Sequence, residues 1–158
     1  MTALDSIVAV LRCPVCSSTF EIDERRLVCA NGHSYDIARH GYANLMSGRG
    51  GPGSGDTAAM VAARAAFLGD GHFAQIADRV AAAAVGARVL DLAGGTGYYL
   101  ATVLDRLPDA TGLCVDLSAA ALRRAARVHR RAAAIGADAW RSLPIASGTV
   151  STVLSIFG

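Results

Sequence analysis

Val89-Leu90-Asp91-Leu92-Ala93-Gly94-Gly95-Thr96-Gly97-Tyr98-Tyr99 decides the fold. A β-branched and apolar run enters a glycine-rich turn. Leu100, Val103, Leu104 and Leu107 then step i, i+3, i+4, i+7, which is helical spacing. Strand, tight turn and helix in that order aim backbone N–H groups and a helix N-terminus at whatever ligand enters. Gly95 and Gly97 lack the Cβ atoms that hold a ligand off the backbone, and Asp91 ends the strand as a carboxylate. Read alone, the turn equally fits a nicotinamide-type Rossmann unit, or a βαβ unit whose glycines serve only the turn.

Two later segments narrow the choice. Thr111-Gly112-Leu113-Cys114-Val115-Asp116 reads as a second strand ending in an acid. It lies about twenty residues past the turn, where α/β nucleotide folds place a carboxylate on ribose hydroxyls. A third short apolar run leads into Asp138-Ala139-Trp140-Arg141-Ser142-Leu143-Pro144. Together the three segments resemble the class I S-adenosylmethionine-dependent methyltransferases. The resemblance implies Gly95, Thr96 and Gly97 around the methionine part of the donor, Asp116 on its ribose and Asp138-Ala139 near its adenine. Asp91 is likewise assigned to the donor. Ala93 stands where that family usually has glycine, which leaves less room at the turn. The expected architecture is α/β: a small N-terminal zinc-ribbon module, then the first half of a Rossmann-like class I methyltransferase domain with parallel strand order 3-2-1-4.

Upstream, Cys13-Pro14-Val15-Cys16 and Cys29-Ala30-Asn31-Gly32-His33 form the pattern C-x2-C-x12-C-x3-H. Two knuckles of close-spaced ligands are what a tetrahedral structural zinc site takes, and four protein ligands leave no position open for water. A thioredoxin-like redox pair is the rival, but no βαβ pattern surrounds it and it leaves Cys29 and His33 unexplained. Between the knuckles, Ser18–Ile22 and Arg26–Val28 alternate like two short strands around Asp23-Glu24.

Tyr35 to Met46 mixes aromatic, basic and amide side chains. It reads either as an RNA-contacting stretch or as the ribbon's last strand packing on the next domain. Ser47 to Gly55 is a flexible linker by composition. The expected units are therefore a ribbon module over 1–46, a linker over 47–55 that lets the ribbon swing, and a methyltransferase domain over 56–158. Asp56 is the expected N-cap of a helix from Thr57 to Leu68, with Met60, Arg64 and Phe67 on one face. His72-Phe73 opens a second helix carrying Ile76, Val80 and Ala84. The pair is expected to lid the cofactor cleft, with Phe67 packed on the sheet.

In sequence order, C-P-V-C, N-G-H-S-Y-D, H-G-Y-A-N-L, G-D-T-A-A-M-V-A-A-R-A-A-F-L, G-H-F and L-D-L-A-G-G-T-G-Y-Y look like the bacterial 23S rRNA guanine-N1 methyltransferases. That resemblance implies zinc on Cys13, Cys16, Cys29 and His33, a ribbon that helps hold an rRNA hairpin, and Phe73 beside the methyl donor. It also implies kinship with a branch that protects against macrolides such as tylosin. No residue is assigned as the catalytic base. Two other readings stand beside it: a catalytically incomplete zinc-ribbon RNA-binding fragment, and a small-molecule methyltransferase.

The net charge of +2 makes no demand for a nucleic-acid partner. No apolar run approaches the roughly 20 residues of a membrane span. With no secretion signal either, a cytoplasmic location is expected, where thiols stay reduced and clustered cysteines bind metal. Ser118 is the expected cap of a helix bearing Arg123, Arg127, Arg130 and Arg131 on one side, read as a solvated basic face. Cys114 is expected in the core. Val150 to Phe157 reads as a fourth strand whose open edge invites a homodimer. A full domain of this class has seven strands, so further residues beyond Gly158 are expected.

Overall fold

The computed structural model describes residues 2–46 and 55–157. The linker expected at 47–55 lies outside the described residues except for Gly55. The N-terminus forms a short helix α1 (Ala3–Ile7), capped by Thr2, and a 3-10 turn over Val8–Val10. The ribbon follows as β1 (Phe20–Asp23), β2 (Arg26–Cys29) and β3 (Ser34–Asp36), an antiparallel sheet in that order. Phe20, Leu27 and Cys29 bury their side chains, while Glu21, Asp23 and Arg26 face water. This is the period-2 alternation of a sheet with one wet face.

The second sheet has five parallel strands in the order β4 (Tyr42–Asn44), β7 (Ala132–Gly136), β6 (Thr111–Asp116), β5 (Arg88–Leu92), β8 (Thr152–Leu154). Counted from β5, the last four strands run 3-2-1-4, as the sequence predicts. Helices α2 (Ala58–Gly69) and α3 (Ala74–Ala83) precede β5, α4 (Tyr98–Arg106) joins β5 to β6, and α5 (Ala119–Val128) joins β6 to β7. The cap of α2 is Thr57, whose hydroxyl accepts from Met60 N–H, rather than Asp56. Asp56 is thereby free to pair with Arg64. Ser118 caps α5 as expected and also donates to the Asp56 carbonyl at 2.6 Å, which ties the start of α2 to that of α5.

The strands sort their side chains onto two cores. Val89, Cys114, Ala132 and Ala134 join α3, α4 and α5 on one face. Leu90, Leu113, Val115, Ala133 and Ile135 point to the other, as alternation along buried parallel strands requires. That second face is covered by the N-terminal segment, through Leu4, Ile7, Val10 and Leu11. Ile7 and Leu11 are almost wholly buried, and each such side chain is worth about 1.5–3 kcal/mol.

β4 is the larger difference. The stretch with two open readings, Tyr35 to Met46, splits: Ser34–Asp36 completes the ribbon and Tyr42–Asn44 becomes the outer strand of the parallel sheet beside β7. Their approach is close enough that a Cβ on Gly136 would lie 2.6 Å from Asn44 Oδ1. Arg12 N–H donates to the Pro144 carbonyl, Ala146 N–H donates to the Val10 carbonyl, and Leu11 bridges to Ile145. Ribbon and sheet therefore share one core. Among the described residues, no helix is long and apolar enough to cross a membrane.

Candidate donor site and metal centre

The two knuckles bring Cys13, Cys16, Cys29 and His33 together with their ligand atoms all within 4.8 Å of one another. Cys16 and Cys29 Sγ are 3.6 Å apart, and His33 Nδ1 lies 3.6 Å from Cys13 Sγ and 3.4 Å from Cys29 Sγ. A tetrahedron with Zn–S of about 2.3 Å and Zn–N of about 2.05 Å has edges of about 3.8 and 3.6 Å. The donor set thus has the size as well as the chemistry of a zinc site. The Ser18 hydroxyl, then the Asn31 amide, hold the Cys16 thiol down to about 5, toward the thiolate that a metal takes. Burial raises the Cys29 thiol. Burial, then the neighbouring Cys13, pushes the Tyr35 phenol up to about 12, so it stays a neutral O–H 3.9 Å from Cys13 Sγ.

At the C-terminal ends of β5 and β6, where open α/β sheets bind ligands, two adjoining lobes meet at Ala93, Arg64 and Phe157. The first, about 210 Å³, is walled by Phe73, Asp91, Gly94, Gly95, Thr96 and Tyr99. The second, about 260 Å³, is walled by Asp56, Asp116, Asp138, Ala139 and Trp140. Phe73, Asp91, Gly95 and Thr96 are thus gathered in one lobe, and Asp116, Asp138 and Ala139 in the other. Gly97 is in neither wall. It opens α4 with φ 77°, and a Cβ there would lie 2.9 Å from Val128 Cγ1.

Asp116 is held by the turn it faces: Oδ2 accepts from Gly95 N–H at 2.9 Å, and Oδ1 accepts from Ser118 N–H at 2.8 Å. Asp91 is different. It is 1% exposed, and its Oδ2 has no hydrogen-bond partner among the described residues. Burial, then the Asp116 charge, push its carboxyl up to about 7. A Cβ on Gly94 would sit 2.6 Å from Asp91 Oδ2 and 2.8 Å from Cys114 Sγ, so only glycine lets the turn close over this carboxyl. Cys114 is buried in the core as expected, which raises its thiol. An orphaned acid beneath a backbone cradle, with a second acid one strand over, suits a ligand bearing a cationic amine and a pair of hydroxyls.

The sequence underused the rim. Phe67 does not pack on the sheet; it is 50% exposed and lines the first lobe. It contacts Phe73 at 5.6 Å between centroids, and Phe73 contacts Phe157 at 5.7 Å. Arg64 lines both lobes and pairs with Asp56 across them. Its signal was legible as the lone charge in Ala58-Ala59-Met60-Val61-Ala62-Ala63-Arg64-Ala65-Ala66-Phe67. The Tyr99 hydroxyl, buried in the first lobe without a partner among the described residues, had no such signal. The basic stripe is also redrawn: Arg131 turns inward to the carbonyls of Leu104, Leu107 and Ala110, while Arg124 joins Arg123 and Arg127 along a groove.

Fold and site define a methyltransferase domain of the S-adenosylmethionine-using kind, joined to a zinc ribbon. Residues 11–48 match the RlmA N-terminal zinc-ribbon family, and residues 89–158 match a methyltransferase-domain family. The chain thus joins an RlmA-type zinc ribbon to a methyltransferase domain. It is 45% identical over 159 residues to the 23S rRNA (guanine(748)-N(1))-methyltransferase of Streptomyces fradiae, covering 96% of this chain and 56% of that protein. It is 44% identical over 170 residues to a putative 23S rRNA (guanine-N(1)-)-methyltransferase of Micromonospora griseorubida, covering 93% and 57%. The chain therefore spans just over half the length of these relatives. A solved sugar N-methyltransferase, KedS8 from Streptoalloteichus sp. ATCC 53650, overlaps 72% of this chain and 44% of that one at TM-score 0.48 and 24% identity.

Proposed function

We propose that this protein methylates N1 of a guanine in 23S rRNA, with S-adenosylmethionine as donor and the zinc ribbon as part of the RNA grip. The observation that carries the reading is the 45% identity to the Streptomyces fradiae enzyme over 96% of this chain, which spans both the zinc-ribbon and the methyltransferase-domain matches. S-adenosylmethionine, when bound, supplies a methyl group on a positively charged sulfur that is its own leaving group. The chain's part is alignment and exclusion of water. In this reading Gly94, Gly95 and Thr96 bring the backbone against the methionine part, and Asp91 supplies the carboxyl facing its amine. Asp116 takes the ribose, Asp138 and Ala139 border the adenine, and Gly97 sets the turn. Phe67, Phe73 and Phe157 close the first lobe with apolar faces against which an unstacked base can lie. The guanine must leave its pairing to present N1, and N1 must lose its proton. No acceptor for that proton is assigned.

A cytoplasmic location and protection from macrolides belong to the same reading. So does a grip on an rRNA hairpin. Pairing of two copies belongs to the same reading.

The test is incubation with methyl-labelled donor and unmodified 23S rRNA, followed by reverse transcription, which halts at an N1-methylguanine. Label in RNA with one new halt at a guanine is the expected result. RNA binding without transfer supports the catalytically incomplete module instead. Label found only in small molecules refutes the RNA reading.

A further inference from the structure

Between α2 and α5 runs a groove of about 640 Å³, distinct from the donor lobes but adjoining the first of them. Its apolar floor includes Val61, Leu68 and Val128, and its titratable lining is His40, Tyr98, Arg123, Arg124 and Arg127, with no carboxylate. Arg26, Arg64 and Arg141 each have a carboxylate partner, whereas Arg123, Arg124 and Arg127 have none among the described residues. His40 comes from the turn between β3 and β4, whose Gly41 lies against Ala126 of α5. Ribbon side and methyltransferase side therefore build the groove together. Burial, then Arg127, Arg39 and Arg123, lower the His40 pKa.

We propose that this groove seats the sugar-phosphate backbone of the substrate RNA, with Arg123, Arg124 and Arg127 on successive phosphates and His40 hydrogen-bonding beside them. The proposal rests on the rRNA reading above and gives the strand's path. Guanidinium groups suit phosphate because their planar fork donates two parallel hydrogen bonds. Arg123 and Arg127 stand one helical turn apart, about 6 Å along the axis, which matches a chain of phosphates better than a single free anion. Crowding three cations without acids costs self-repulsion that a polyanion removes. Thr96 and Tyr98 line both this groove and the first donor lobe, so a strand lying here arrives beside the site of methyl transfer. An acidic polypeptide satisfies the charge but has no reason to end at a methyl donor.

The experiment titrates a fluorescent stem-loop RNA with the protein, its Arg123→Gln/Arg127→Gln double variant and, as a control, Arg79→Gln on α3, over a range of salt. Donor binding is followed in parallel by calorimetry with S-adenosylhomocysteine. Each phosphate contact on a single strand contributes about 0.7 to the slope of log affinity against log salt. The double variant is therefore expected to show a slope shallower by about 1.4 and affinity about 25-fold weaker at about 0.1 M salt. Arg79→Gln and donor binding are expected to stay unchanged. Unaltered affinity and slope in the double variant overturn the proposal while leaving the rRNA reading intact. No RNA binding by the parent protein, or displacement of RNA by polyglutamate as readily as by unlabelled RNA, overturns both. If the double variant also loses the donor, Arg123→Lys/Arg127→Lys decides: restored slope supports the groove, and an unrestored one overturns it.

Discussion

Acidification should loosen the methyl donor through one buried carboxyl. Asp91 sits at the floor of the first lobe, almost fully buried, with Oδ2 unpartnered among the described residues and its pKa raised to about 7 by burial and then by Asp116. The donor carries positive charge at sulfur and at its amine, so it favours the ionised carboxyl. With a pKa near 7, about one-eleventh of Asp91 is ionised at about pH 6 and about ten-elevenths at about pH 8, so donor affinity should fall about tenfold between them. Donor-free stability should move the other way. The folded pKa lies above the unfolded value of about 3.9, so the folded state holds the extra proton between about pH 4 and 7. Stability present below that window is lost as pH rises through it, by an amount of order a few kcal/mol. Calorimetric titration with S-adenosylmethionine across that range measures the first effect, and melting temperature without donor measures the second. Asp91→Asn should flatten both profiles while weakening donor binding at high pH. A donor Kd independent of pH in the parent protein, or a slope that survives in Asp91→Asn, refutes the reasoning.

Chelating the zinc should unfold more than the ribbon. A structural zinc site contributes about 10–16 kcal/mol, against about 5–15 kcal/mol for a whole domain. Leu11, β4 and the bridge to Ile145 couple the ribbon to the sheet. The expected signs are a lower melting temperature for the whole chain and weakened binding of S-adenosylhomocysteine; an unchanged donor affinity shows that the ribbon is independent. Ala93→Gly should stabilise. Ala93 has φ 52°, a conformation costing a non-glycine residue about 1–2 kcal/mol, while glycine's added chain entropy returns about 0.5–1 kcal/mol. The net gain is up to about 1.5 kcal/mol, and each kcal/mol raises the melting temperature by about 2–4 °C; a drop counts against strain at this turn.

Much of the site was legible because its chemistry is local. A C-x2-C and a C-x3-H each close within a few residues, so the spacing alone announces four candidate ligands. The strand entering the glycine turn and the acids at Asp91 and Asp116 are likewise set by short runs with period 2 giving way to 3.6. Phe67 shows the limit: its helical face was readable, but whether that face met the sheet or the cleft depended on where α2 docks. Arg131 looked like one more cation on a basic face until the end of α4 offered it three carbonyls.

The sequence by itself determined the strand-turn-helix order of the second half, the candidate metal ligands and the candidate donor cradle, since each depends on residues adjacent along the chain. Tertiary structure alone decided what lies beside what. It placed Tyr42–Asn44 at the edge of the parallel sheet, sealed the sheet with Leu4, Ile7 and Leu11, and set His40 beside the arginines of α5. Such contacts join residues far apart in sequence, and they are fixed by the burial of complementary apolar faces and unpaired strand edges, which no local pattern encodes.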